Sequence, residues 1–314
     1  MIQDLEKNFK DIQTYIIDKF SDFEDSNDVE ISRDEWIRPE GGGGITQVIA
    51  SGNFFDNCAI NFSSIYGKDL PKAALAKTLS KKAEYGYRAM GISVISHPKN
   101  PHIPTSHMNV RIFVILDQNH DIADWWIGGG YDLTPFLPYE EDIIHWHSNA
   151  KQVLEPFGRY FYEDFSNNCN KYFEIPHRNE RRGVGGIFFD NLTDFSTINE
   201  SMKFLQNISE CYVESYSDII NKRKDNKYND TQKEFQLFRR GRYAEFNLIY
   251  DRGTSFGIQS NGRIESILAS LPADVKWSYK KSPEYDLLHE NLISYINKDW
   301  NVFKIQTRSS WKSN

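Results

Sequence analysis

The chain has 314 residues, a formal net charge of −7, and 39% hydrophobic and 26% charged residues. It is long enough to bury a sizeable core, and as a whole too acidic to coat itself in nucleic acid. No apolar stretch approaches the ~20 residues that span a bilayer. The acidic opening "MIQDLEKNFK" does not read as a secretory signal, and Cys58, Cys169 and Cys211 lie too far apart for a C-x-x-C motif or a disulfide framework. The expectation is a cytoplasmic enzyme.

Leu5, Phe9, Ile12, Ile16 and Phe20 fall at helical spacing and predict an amphipathic first helix. Gly41 to Gly44 precede the strand-like "ITQVIASGNFF" without a following Gly-Lys-Ser/Thr, so they fit a turn or close chain approach better than a phosphate loop. Asp69 and Pro71 open a further helix. "GISVIS" reads as a buried strand, and "SHMNVRIFVIL" alternates as a second one. "DWWIGGGYDLTPF" reads as a strand ending in a glycine turn, "YEEDIIHWHSNAKQVLEPF" as a helix, and "RGVGGIFFD" as a strand. A long helix is expected over 198–224, then a polar surface segment. "GRYAEFNLIYDRG" and "SFGIQS" resemble paired strands, with Asn261–Gly262 as a turn. A last helix covers 284–297. Strands and helices do not alternate in strict βαβ order, so the expected fold is a single α+β domain spanning 1–314.

The segment from His97 to Phe113 gathers three histidines, three prolines and one arginine. As an extended strand it places His107, Asn109 and Arg111 on one face, with Met108, Val110, Ile112 and Val114 on the other. Imidazole trades protons near neutral pH, and guanidinium grips carboxylates through paired hydrogen bonds. Further arginines cluster in "HRNERRG", "FRRGR", "YDRG" and "NGR", a set that suits a small substrate with several negative charges. Most of them singly are surface salt-bridge partners on base rates. Asp132 follows a glycine run, and Asp251 is read on a strand face with Asn247 and Glu245. His145 and His147 point apart on a helix, and no local pattern supplies two histidines and a carboxylate for a metal.

"GGGG", "NFSSIYG", "GISVISHPKNPHIPTSHMNVRIF", "WWIGGGYDLTPF", "HRNERRGVGGIFFD", "FQLFRRGRYAEFNLIYDRGTSFGIQSNGR" and "ESILASLP" occur in this order, and together the sequence resembles the oxygen-dependent coproporphyrinogen-III oxidases. The resemblance implies a large, mainly antiparallel sheet flanked by helices on both faces, and a homodimer. It implies oxidative decarboxylation of the ring A and ring B propionates of coproporphyrinogen III to vinyl groups, giving protoporphyrinogen IX. Dioxygen is the co-substrate and no organic cofactor is needed. By position, Ser93, Asn109, Val110, Arg111, Asn261, Gly262 and Arg263 match substrate-binding residues, with Asn261 where the family pattern has glycine. His107 matches the proton donor, and Asp132, Asp251 and Arg252 match residues that hold pyrrole N–H groups and a propionate. The divalent-metal ligands proposed in bacterial members match His97, His107, His147 and His177, whereas other members work without metal.

Overall fold

A computed structural model describes residues 1–24, 29–50, 52–68, 85–259 and 262–301. Helix α1 (Ile2–Ser21) buries Leu5, Phe9, Ile12, Ile16 and Phe20 on one stripe, as their spacing requires. Six strands follow: β1 (Glu30–Ile37), β2 (Gly42–Ala50), β3 (Phe55–Gly67), β4 (Tyr87–Pro98), β5 (Thr105–Leu116) and β6 (Ile122–Thr134). They pair antiparallel in chain order. Helices α2 (Glu140–Leu154) and α3 (Phe161–Tyr172) then lead through a short ribbon, β7 (Glu174–Ile175) and β8 (Glu180–Arg181). Strand β9 (Gly185–Leu192) returns to pair with β6 and completes a seven-stranded sheet.

Period-two alternation in β5 decides what each face of the sheet is for. Met108, Val110, Ile112 and Val114 are buried in the main core, while His107, Asn109 and Arg111 stay half-buried on the other face. Helix α1 and helix α4 (Ile198–Arg223) cover the apolar face. There the Gln13 amide donates to the carbonyls of Ile45 and Ile60, each at 2.8 Å, and the Tyr212 hydroxyl bonds Ser106 Oγ at 2.8 Å. The polar face is roofed by α5 (Asp230–Ile249), α6 (Arg252–Gln259) and α7 (Ile264–Leu268), and α8 (Asp286–Ile296) closes the described chain. The fold is therefore α+β with helices on both faces of an antiparallel sheet, as expected.

Two expectations are corrected. The described residues of "GRYAEFNLIYDRG" and "SFGIQS" are not paired strands: 241–249 form the second half of α5, and 252–259 form α6. Read from Gly241, the aromatic-rich segment mimics a strand. Read from the Asn229–Gln232 capping box, its buried Phe235, Phe238, Arg239, Tyr243 and Phe246 follow helical spacing. Asp251 consequently lies at a helix junction, and not on a strand face with Glu245 and Asn247. The second correction concerns Gly128, Gly129 and Gly130, which lie inside β6 rather than ending it. Gly130 has φ +142°, and a β-carbon there would overlap the Ile187 carbonyl of β9. Gly41 and Gly42 (φ +124° and +88°) do turn the chain into β2. The helix expected after Asp69 lies outside the described residues.

Gly130→Ala should therefore cost about 3 kcal/mol or more, from strain plus overlap. Loss of the α4 cap in Thr197→Ala should cost only about 1 kcal/mol. Urea midpoints of the two variants should fall in that order.

Candidate active site

The polar sheet face and its helical roof enclose a cleft of about 300 Å³. Cross-strand register sets its wall: Asp132 of β6 lies opposite His107 of β5, which lies opposite Ile95 of β4, and Asn109 lies opposite Ser93. Helix α7 is held over β2 and β3 by Ser266, whose Oγ meets Thr46 Oγ1 at 2.6 Å and whose carbonyl accepts from Asn61 at 3.1 Å. The described lining residues include four arginines, Arg38, Arg111, Arg182 and Arg263, and one carboxylate, Asp251.

At the centre of one wall, Asp132 is 1% exposed and Arg182 is 4% exposed. Arg182 Nη2 donates to Asp132 Oδ1 at 2.7 Å, and Nη1 donates to Asn247 Oδ1 at 2.9 Å. Its guanidinium is packed against the rings of Phe173, Tyr243 and Phe246 at 4.0, 4.6 and 4.8 Å. Burial alone would raise the Asp132 pKa. The Arg182 charge and the His107 hydrogen bond outweigh it and hold this carboxyl below its ordinary value. An ionised Asp132 fixes the His107 tautomer, with Nδ1–H donating to Asp132 Oδ1 at 2.8 Å. Having donated its proton, Nδ1 offers no lone pair to Arg182 Nη2, 3.4 Å away.

The second acid has a different surround. Asp251 caps α6: its Oδ2 accepts from the Thr254 N–H at 2.7 Å and the Thr254 hydroxyl at 2.9 Å. Its Oδ1 accepts from the Tyr172 hydroxyl at 2.9 Å, and that hydroxyl in turn accepts from the Arg252 N–H at 3.1 Å. Burial and the Asp251 charge push the Tyr172 pKa up to about 12, so it remains a proton donor. The Arg252 side chain is mostly exposed and lies over the Tyr172 ring at 4.8 Å. Arg111 donates to Asn109 Oδ1 at 2.9 Å and to Asp190 Oδ1 at 2.8 Å, while Arg252 Nη1 is 3.7 Å from Asp190 Oδ2. One carboxylate thus stands between the two cations. Room for the Arg111 guanidinium comes from Gly128, where a β-carbon would be 2.9 Å from Nε.

Ser93, His107, Asn109, Arg111, Asp251, Gly262 and Arg263 therefore line one cleft. Asp132 lies just behind His107. Arg263 pairs with Asp34 and Glu265 at the opposite end. The Val110 side chain points into the core on the other face, and Asn261 lies outside the described residues. Arg182, Tyr172, Trp36 and Arg38 were not singled out by sequence reasoning. Arg182 sits in one of the noted arginine clusters, but nothing local marks it as buried.

The four histidines considered as a ligand set do not fit a shared metal centre. His97 is buried between Thr105 Oγ1 at 3.1 Å and the Ser270 carbonyl at 3.0 Å. His147 is buried between Tyr162 and the Val184 carbonyl, and His177 lies exposed between Tyr250 and Glu245. In each of these three rings both nitrogens already have protein partners. Among the described residues no group of three or more His, Cys, Asp or Glu side chains is placed to hold a metal.

A rigid sheet carrying a buried acid hydrogen-bonded to a half-buried imidazole, beside several guanidiniums, has the make-up of an enzyme cleft for a small polyanion. Residues 4–301 match the coproporphyrinogen III oxidase family, and the chain belongs to that family. It is accordingly an oxidoreductase of porphyrin and haem biosynthesis. No helix among the described residues is long and apolar enough to cross a membrane.

Two measurements test this geometry. Arg182→Met leaves the buried Asp132 with His107 as its remaining partner and without its cation, so it should destabilise the fold by about 3 kcal/mol, and the Arg182→Met/Asp132→Leu double variant should recover much of that loss in urea unfolding. Burial also holds the pKa of His147 down at about 4, against about 6.5 in an unfolded chain. The unfolded state then binds the extra proton, so this stability is present above pH ~6.5 and is lost as pH falls toward 4, by up to about 1.4 kcal/mol per pH unit. The pH 7-to-5 fall in the urea midpoint should be shallower in His147→Gln.

Proposed function

We propose that the protein is the oxygen-dependent form of the enzyme. It converts the ring A and ring B propionates of coproporphyrinogen III to vinyl groups and yields protoporphyrinogen IX. For each propionate, –CH2CH2COOH plus O2 gives –CH=CH2, CO2 and H2O2. The carboxyl carbon leaves as CO2, and two electrons and two protons, one from the β-carbon and one from the carboxyl group, pass to oxygen as H2O2. The observation that carries this reading is that Arg111, Asp251 and His107 line one cleft, with Asp132 hydrogen-bonded behind His107 and Arg252 beside the cleft over the rings of Tyr172 and Phe188. A radical route to the same product calls for clustered cysteines. Here Cys58, Cys169 and Cys211 sit on β3, α3 and α4 respectively.

The residues divide the work by what their neighbours leave available. Arg111, Arg252 and Arg263 hold substrate carboxylates through donors not used by Asn109, Asp190 or Asp34. Asp251 Oδ1 has accepting capacity beyond its bond to Tyr172 and receives pyrrole N–H groups. Asp132 Oδ1 already takes two donors, so its part is to orient His107, whose Nε2 then exchanges a proton with the substrate. Holding the electron-rich macrocycle in a shielded cleft lets dioxygen react with it directly, with no organic cofactor. The same reading makes the protein a cytoplasmic homodimer. The exposed edge strand β1, with Ile37 90% exposed, and the exposed Leu248 and Ile249 of α5 support an interface between copies.

Purified protein supplied with coproporphyrinogen III should consume dioxygen and release CO2 in equal amounts, with no turnover under argon. Turnover that continues without oxygen sinks the proposal. Arg111→Ala and Arg252→Ala should each lower kcat/KM by about 10- to 100-fold, the worth of one charged hydrogen bond.

A further inference from the structure

One row of cross-strand neighbours on the cleft face runs Trp36, Gly44, Ser63, Gly91, Arg111, from β1 to β5. The Trp36 indole covers Gly44, and between it and the guanidinium Ser63 and Gly91 carry only a hydroxymethyl group and a hydrogen, so the floor there is essentially bare backbone. At ~4.8 Å per strand, four steps make the row about 19 Å long. That is comparable with a tetrapyrrole whose propionate arms are extended. At each end of the row a glycine makes room for the terminal side chain. Gly44 lets the Trp36 indole lie against β2, since a β-carbon there would overlap the ring, and Gly128 lets Arg111 lean away toward β6. Two residues past Trp36, Arg38 lines the same end of the cleft, with its side chain 13% exposed and its Nε 3.5 Å from Glu40. The acid and imidazole assigned to proton transfer lie on β5, β6 and at the α6 cap, at the other end of the row.

We propose that Arg38 is a carboxylate-binding residue for the propionates that the reaction leaves in place, with the macrocycle lying along the bare floor between Trp36 and Arg111. This rests on the function proposed above. A cation at the remote end contacts only the arms that do not react, so it sets orientation and decides which two rings reach the proton-transfer end.

The test compares two unreactive porphyrins by fluorescence titration: coproporphyrin III, with four propionates, and mesoporphyrin IX, which has ethyl groups in place of the two reacting ones. Arg38→Gln should weaken both by a similar factor, about tenfold for one lost charge-assisted contact. Arg111→Gln should weaken coproporphyrin III alone. In turnover, Arg38→Gln should raise KM by the same factor with kcat nearly unchanged, and Arg38→Lys should recover most of the affinity. Ser63→Leu, which fills the floor between the indole and the Arg111 guanidinium, should weaken both porphyrins. Arg33→Gln, on the exposed part of β1, should change neither. Affinity for both porphyrins within about twofold of wild type in Arg38→Gln would overturn the assignment. So would loss confined to coproporphyrin III, or no rescue by lysine. Failure of the wild-type protein to bind coproporphyrin III or consume oxygen would instead remove the functional reading, and the assignment with it.

Discussion

The buried contact between Arg182 and Asp132 is the constraint on which the site depends. Two charges taken out of water lose several kcal/mol of hydration each, and their mutual attraction recovers this only when geometry is good and the remaining donors are satisfied. Here the second arm of the guanidinium meets Asn247 and its faces meet Phe173, Tyr243 and Phe246, so one side chain joins β6, the C-terminal end of α3, and α5. A pair of this kind contributes little net stability compared with a packed apolar core. It fixes position instead: Asp132 stays ionised, His107 keeps one tautomer, and α5 is registered against the sheet.

Around that fixed point the sheet supplies flatness. An antiparallel sheet needs apolar side chains on only one face, and in this chain the other face is thinned to glycine, serine and asparagine where the cleft runs. Gly44, Gly91, Gly128 and Gly130 each weaken a strand relative to a β-branched residue. What they provide is room, for an indole at Gly44, for a guanidinium at Gly128 and for the Ile187 carbonyl at Gly130. The arginines that project over this floor are held by Asn109, Asp190, Asp34 and Glu40. A protein with net charge −7 can thus present a locally cationic cleft, because field in a recessed, low-dielectric site follows the nearest groups rather than the whole surface.

How far the fold was legible varied with the length and purity of each pattern. Helix α1, strand β5 and helix α4 carry a clean periodicity that burial satisfies locally, and they form where the spacing places them. The failures lie where a signal is cut or overridden. Aromatic and β-branched residues in the second half of α5 imitate a strand until the cap at Asn229 is taken as the starting point. The glycines of β6 imitate a turn, because their reasons for being there are distant in sequence: the Arg111 guanidinium at Gly128, and at Gly130 a carbonyl on β9 that arrives 57 residues later, with Ile187. The face shared by His107, Asn109 and Arg111 was readable from alternation alone. The partners of His107 were not.

The sequence by itself determined the ingredients: which residues can carry protons, which can grip carboxylates, and, through period-two alternation, which of them share a face. Tertiary structure alone decided which acid stands behind His107, that Arg182 is buried rather than solvated, and that His97, His147 and His177 spend their nitrogens on separate protein partners. The physical reason is range. Periodicity is written within a few residues, whereas desolvation, ion pairing and the clearance above a glycine are set by atoms that the chain brings together from far apart.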